Sequence, residues 1–196
     1  MYWYQNKNLY KTLGSALPLL VGGALLFWSC SSPSGPKKAK KTTDIFSVDS
    51  FFSAEAQRLQ QINPLVLKSV NKDGEKEQRE LKIENWQNEL SAFQSADISK
   101  NFDPTLYEVK AIDCVTEFTA KKKELQIQKL RIEFDRKNER VKHIHIDKKI
   151  ANSLYDSNEK LDYYIDSLYS IIKLQDVQGL DANQYEIIGR FVQSKK

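Results

Sequence analysis

Two patterns of apolar residues divide this chain. Residues 13–28 are largely apolar, carrying Leu17, Leu19, Leu20, Val21, Leu25, Leu26 and Phe27. The run is broken by Gly14, Pro18, Gly22 and Gly23. A spanning helix wants about 20 apolar residues, so this stretch suits a transient hydrophobic segment better than a permanent anchor. Beyond residue 44 the apolar positions become periodic instead of continuous.

The first periodic segment is helical. Phe51, Phe52, Leu59 and Ile62 form one stripe at helical spacing. Asp49 or Ser50 is placed to cap its start, and Asn63-Pro64 ends it, because proline disfavours helix in the residue before it. Residues 65–71 then alternate as a strand. Asp73-Gly74 is a hairpin signal, since both turn positions of the favoured type need positive φ. The return strand, residues 76–82, is almost wholly charged, which fits an edge. Ile83, Trp86, Leu90 and Phe93 predict a second helix over 83–96.

From residue 106 onward the period changes to two. Strands are predicted over 106–119, 125–135, 141–150, 169–177 and 185–192. Residues 152–155 and 161–165 form one interrupted strand or two. Leu130, Ile132 and Phe134 share a face. Short turns and no intervening helical pattern imply an antiparallel meander. The expected fold is α+β: a curved antiparallel β-sheet with two helices packed on one face. Residues 45–196 read as a single domain, large enough for a real core.

The leader assigns a location. Lys7 and Lys11, with no acid among the first eleven residues, make a positive start to a signal peptide over 1–29. Ser29-Cys30 closes it, and the Ser/Pro/Gly stretch that follows, ending in Lys37, Lys38, Lys40 and Lys41, forms a flexible basic tether over 30–44. Bacterial lipoprotein signals resemble a leucine and small residues directly before a cysteine whose thiol takes a diacylglycerol. Here Leu26 stands four residues before Cys30, and Phe27-Trp28 are bulky where that pattern is small. Lipidation at Cys30 is the expectation, with membrane lipid as partner. The alternative is an uncleaved single-pass inner-membrane helix, which the lysines after the run would orient with its carboxyl side inside.

Charge narrows the function classes. The formal net charge is +4, yet six of the 30 Lys and Arg lie at positions 7, 11, 37, 38, 40 and 41, so residues 42–196 hold 24 bases against 26 acids. A domain with a net of −2 lacks the positive footprint of nucleic-acid binding. Cys30 aside, Cys114 is the sole cysteine, which excludes a disulfide framework. It is expected as a small buried core residue.

No nucleophile elbow, phosphate-binding glycine loop or His-Glu-x-x-His motif occurs, and no cofactor is implied. His143 and His145 are the only histidines. On a strand they share a face with Val141 and Asp147, making His143, His145 and Asp147 candidate metal ligands. Such a triad would span about 13 Å along the strand. The competing expectation is a solvated polar face beside Lys142 and Lys148. Asp113 or Glu117 is a candidate for a carboxylate pair, against a salt-bridged sheet surface. Tyr155, Tyr163, Tyr164, Tyr169 and Tyr185 enrich the second half, suiting a binding surface or strands in general.

The stretches 59–64 (Leu-Gln-Gln-Ile-Asn-Pro), 83–90 (Ile-Glu-Asn-Trp-Gln-Asn-Glu-Leu), 96–100 (Ala-Asp-Ile-Ser-Lys) and 184–191 (Gln-Tyr-Glu-Ile-Ile-Gly-Arg-Phe) together resemble a family of uncharacterised lipoproteins from Bacteroidota. The resemblance covers most of residues 45–192. It implies a cell-envelope setting and carries no catalytic residue or ligand. Surface-exported lipoproteins of that group resemble a pattern with acidic residues soon after the cysteine. Residues 31–41 have none, so the expected location is the outer membrane, facing the periplasm. The expected function is a non-enzymatic module that binds an apolar ligand or an envelope protein. The alternatives are a structural or assembly subunit, or a hydrolase using His143 or a carboxylate pair. An apolar cavity beside Phe52 and Trp86 would mark lipid carriage, and side chains filling it would favour a scaffold.

Overall fold

The computed structural model describes residues 45–177, 179 and 182–192. The signal peptide, Cys30 and the tether lie outside the described residues. Among the described residues no helix is long and apolar enough to cross a membrane.

Helix α1 spans Val48–Ile62. Its cap is Ser47, whose Oγ accepts a hydrogen bond from the Ser50 amide at 3.2 Å, so the helix starts before the predicted Asp49 or Ser50. Asp49 instead stands in the first turn, where its charge suits the helix dipole, and accepts a bond from Lys100 Nζ at 2.7 Å. The end is as predicted: Asn63 takes φ 44°, and its amide bonds the Leu59 carbonyl.

Strands β1 (Leu65–Lys72) and β2 (Glu75–Lys82) form the expected hairpin, with Asp73 at φ 51° and Gly74 at φ 94°. Positive φ at both positions defines the turn that follows strand twist. The predicted second helix is two short ones, α2 (Trp86–Glu89) and α3 (Ser91–Gln94), separated at Leu90. Polar side chains compete for the backbone here: Asn85 Oδ1 accepts from the Asn88 amide, and Ser91 Oγ donates to the Asn88 carbonyl. The break still buries Trp86, Leu90 and Phe93 completely.

The predicted strand over 106–119 is a hairpin, β3 (Tyr107–Ile112) and β4 (Val115–Ala120), folding at Asp113-Cys114. Asp113 takes φ 51°, a conformation that Asp tolerates better than most residues. Next come β5 (Ile127–Phe134), β6 (Val141–Ala151), β7 (Tyr155–Tyr164), β8 (Leu168–Val177) and β9 (Asn183–Phe191). Strand β7 runs unbroken through polar residues 156–160, paired on both sides.

The nine strands of the described residues form one antiparallel open sheet in the order β2-β1-β9-β8-β7-β6-β5-β4-β3. The meander from β3 to β9 is the predicted one. The N-terminal hairpin joins it through β1 on β9, with Val66 opposite Phe191. Phe118, Leu130, Ile132, Ile144, Ile146, Leu161, Tyr163 and Tyr169 form the buried face. Phe52 of α1 meets Phe93 at 4.8 Å and Tyr163 at 5.2 Å between ring centroids. Trp86 of α2 stacks on Phe191 at 5.7 Å and meets Tyr169 edge-on at 6.2 Å. Among the described residues no helix packs on the other face of the sheet.

Candidate functional site

The helix-free face holds the two histidines. His143, His145 and Asp147 of β6 point there, opposite in side to the buried Ile144 and Ile146. A register shift before His143 sets Val141 opposite Phe134 and packs it against the core, so it does not share the histidines' face as expected. The β6–β7 register sets His145 opposite Asp162 and His143 opposite Tyr164. Asp162 Oδ1 accepts from both rings, from His143 Nε2 at 2.8 Å and His145 Nδ1 at 2.9 Å. Tyr164 lies flat on His143, with centroids 3.9 Å apart and planes 5° from parallel. Asp147 Oδ1 is 3.4 Å from the far nitrogen of His145, and Glu133 Oε1 is 3.9 Å from the far nitrogen of His143.

The electrostatics follow from the shared carboxylate. The hydrogen bond to Asp162 raises the His145 pKa, against burial, with smaller help from Asp147. Burial resists ionisation of Asp162, but the hydrogen bonds from His143 and His145 outweigh it and hold the carboxyl well below its ordinary range. Burial, then the negative charges of Asp162 and Glu133, push the Tyr164 hydroxyl up.

This is a hydrogen-bonded cluster, not a metal-ligand set. The imidazole centroids are 6.4 Å apart. The facing nitrogens therefore stand at least about 4 Å apart, whereas tetrahedral zinc with bonds near 2.0–2.1 Å needs about 3.4 Å. Among the described residues no group of three His, Cys, Asp or Glu is placed to hold a metal ion. Nor does the row assemble a nucleophile. Across β6, β7 and β8 it reads His145, Asp162, Ser170, so the acid stands between imidazole and hydroxyl. A hydrolytic triad needs the imidazole in the middle.

The other predicted residues are dispersed. Lys148 is on the opposite face from the histidines and buried, where Nζ lies 3.4 Å from Glu159, so it is no part of the polar face that carries the histidines. Cys114 is half-exposed in the β3–β4 turn, not in the core. Asp113 faces Arg136 at 3.7 Å and Glu117 faces Lys129 at 3.2 Å. Tyr163 and Tyr169 are buried, each donating a 2.5 Å bond to a helix carboxylate, Glu55 and Glu89. Tyr164 and Tyr185 are exposed, at 38% and 37%.

Around the cluster the face is mixed. Leu67, Leu168, Ile172 and Ile188 lie half-buried on it, and Leu174 is exposed. A recess of about 660 Å³ adjoins Glu133 and Arg131 and reaches Cys114, Arg136 and Lys142. The partner the sequence could not name is Asp162. It stands 17 and 19 residues from the histidines, and only the strand register brings it between them.

The fold and cluster define an α+β domain with one covered and one open sheet face. The chain matches no family model, no curated protein and no solved structure.

Proposed function

We propose that this chain is a cell-envelope lipoprotein, anchored through Cys30, whose domain binds a protein partner on its helix-free face and performs no catalysis. The resemblance to lipoproteins of Bacteroidota supports the anchor, and the absence of acids over residues 31–41 supports a periplasm-facing outer-membrane location. The observation that carries the binding role is the contrast between the two faces of the sheet. Phe52, Trp86 and Phe93 fill the space between helices and sheet with no exposure at all, which argues against an acyl chain lodged there. The open face keeps Tyr164, Leu174 and half-buried aliphatics beside polar groups, a mixture suited to protein contact. A tethered domain with a solid core and one such face acts by holding a partner near the membrane.

The test is fatty-acid labelling of the wild type and Cys30→Ala in cells, joined to photo-crosslinking from two positions. Label that needs Cys30, with crosslinks from a probe at Tyr164 and none from one at Gln57 on the outer side of α1, is the expected result. Absence of label would sink the anchor. Equal crosslinking from both positions, or none from Tyr164, would sink the binding face.

A further inference from the structure

An open sheet has two edges, and the two are built differently here. Edge strand β2 reads Glu-Lys-Glu-Gln-Arg-Glu-Leu-Lys and is exposed almost throughout. Its first residue, Glu75, pairs Lys72 across the two-residue turn. Even-numbered residues of β2 therefore turn their backbone groups outward, and these are Lys76, Gln78, Glu80 and Lys82. Long charged side chains along an edge are the usual protection against pairing with another chain.

Edge strand β3 lacks that protection. The Lys121 amide donates to the Leu106 carbonyl at 2.9 Å, and these two residues continue the β3–β4 register, in which Tyr107 faces Ala120. Hydrogen-bonded pairs alternate along an antiparallel ladder. Glu108, Lys110 and Ile112 therefore spend their backbone groups on β4, while Tyr107, Val109 and Ala111 turn theirs outward. None of those three is charged. Val109 is 46% exposed, and Ile112 at the end of the strand is 69% exposed.

We infer that β3 pairs with β3 of a second copy of this chain, antiparallel, about a two-fold axis at Val109. The sequence is self-complementary in that register. Val109 faces Val109 of the copy, and Tyr107 faces Ala111, all through outward-turned backbone groups. Glu108 then falls opposite Lys110 of the copy, twice by symmetry, at the closely spaced positions where cross-strand side chains interact most. Within one chain these two residues already sit 3.3 Å apart, each more than half exposed, so the exchange of partners needs only rotamer changes. Continuing the register places Ile112 opposite Leu106. The contact joins two nine-stranded sheets edge to edge. It is smaller than the roughly 1,200 Å² of a stable specific interface, so the dimer exchanges rapidly. The inference does not depend on the anchor or on the partner-binding face.

The experiment is sedimentation equilibrium of the full chain in density-matched detergent, up to roughly 0.5 mM, a range that detects Kd values near 1 mM. A reversible dimer is expected. Val109→Pro removes only an outward amide, a change tolerated at a sheet edge, and should weaken the dimer at least about ten-fold. Glu108→Lys alone should weaken it roughly five-fold, since two like-charge pairs replace two ion pairs. Glu108→Lys with Lys110→Glu should restore it. Gln78→Pro on β2 should leave it unchanged. A monomer throughout, a dimer indifferent to Val109→Pro, a charge swap that fails to restore, or a dimer lost with Gln78→Pro would each overturn the inference.

Discussion

The hydroxyl of Tyr163 on β7 donates a 2.5 Å hydrogen bond to Glu55 Oε1 on α1. The same carboxylate takes two bonds from Arg58, at 2.6 and 2.8 Å, and Arg58 reaches on to Asp166 after β7. Burial and then the Glu55 charge keep the Tyr163 hydroxyl protonated far above ordinary pH, so it always donates. One buried acid thus ties the long helix to the middle of the sheet. Tyr163→Phe keeps the ring and its contact with Phe52 but removes that donor. Glu55 retains Arg58, so the cost should sit low in the range for a hydrogen bond to a charged group, about 1.5 kcal/mol. Urea unfolding should show a lower midpoint with an unchanged slope.

Gly189 on β9 lies directly under Tyr169, and an added Cβ would overlap the ring. The ring has nowhere to go. Its hydroxyl is held by Glu89 at 2.5 Å, and Trp86 and Phe191 flank it. Gly189→Ala should therefore destabilise by about 1–3 kcal/mol, the ordinary cost of overpacking. Repeating the substitution in a Tyr169→Leu background should remove most of that cost, a coupling readable in a double-mutant cycle. An equal cost in both backgrounds would place the strain elsewhere.

Much of this fold was legible because local rules and packing agree. The stripe of Phe52 and Leu59, the Asn63-Pro64 stop, the Asp73-Gly74 turn and the charged edge β2 each follow from neighbours in sequence. What failed was of two kinds. Asp113-Cys114 carries no glycine or proline, so an unbroken β-rich run hid a turn, and with it the position of Cys114. The remainder is long-range register. Pairing of β1 with β9 and delivery of Asp162 between His143 and His145 depend on which strands become neighbours. Strand parity put the two histidines on one face, but it also required Lys148 on the other, where a single polar residue among isoleucines finds Glu159.

Lys148 and Glu159 make a nearly buried ion pair on the helix side, with Lys148 Nζ also 3.2 Å from Ser95 Oγ. Glu159 has a second cation, Lys173, at 3.3 Å, whereas Lys148 has only the one acid among the described ion pairs. That asymmetry decides which substitution hurts. Glu159→Gln strands a buried ammonium and should cost about 3 kcal/mol, while Lys148→Met leaves Glu159 with Lys173 and should cost less. The double change Lys148→Met with Glu159→Leu should recover most of the loss. Thermal unfolding of the three variants gives the order directly, and a double variant no better than Glu159→Gln would contradict it.

The cluster on the open face makes stability depend on pH with a definite sign. His145 has its folded pKa above the ordinary 6.5, chiefly through its bond to Asp162. A base that holds its proton more tightly when folded stabilises fully below the unfolded value and loses that contribution as pH rises through the folded one. Asp162 runs the other way. Its burial is outweighed by the bonds from His143 and His145, so its pKa lies below the ordinary 3.8. Its contribution is whole above that value and is lost as pH falls through the folded pKa. The cluster therefore stabilises most between 3.8 and 6.5 and less toward alkaline pH. Asp147 and Glu133 also face the two rings, and Arg131 stands opposite His145 on β5, so Asp162 is tested by difference. Wild type should lose more stability than Asp162→Asn between about pH 5.5 and pH 8, because the variant lacks the linked carboxylate. In proton NMR the His145 ring should titrate above 6.5 in the wild type and shift downward in Asp162→Asn. A His145 titration unmoved by that substitution would mean the shared carboxylate does not hold its proton.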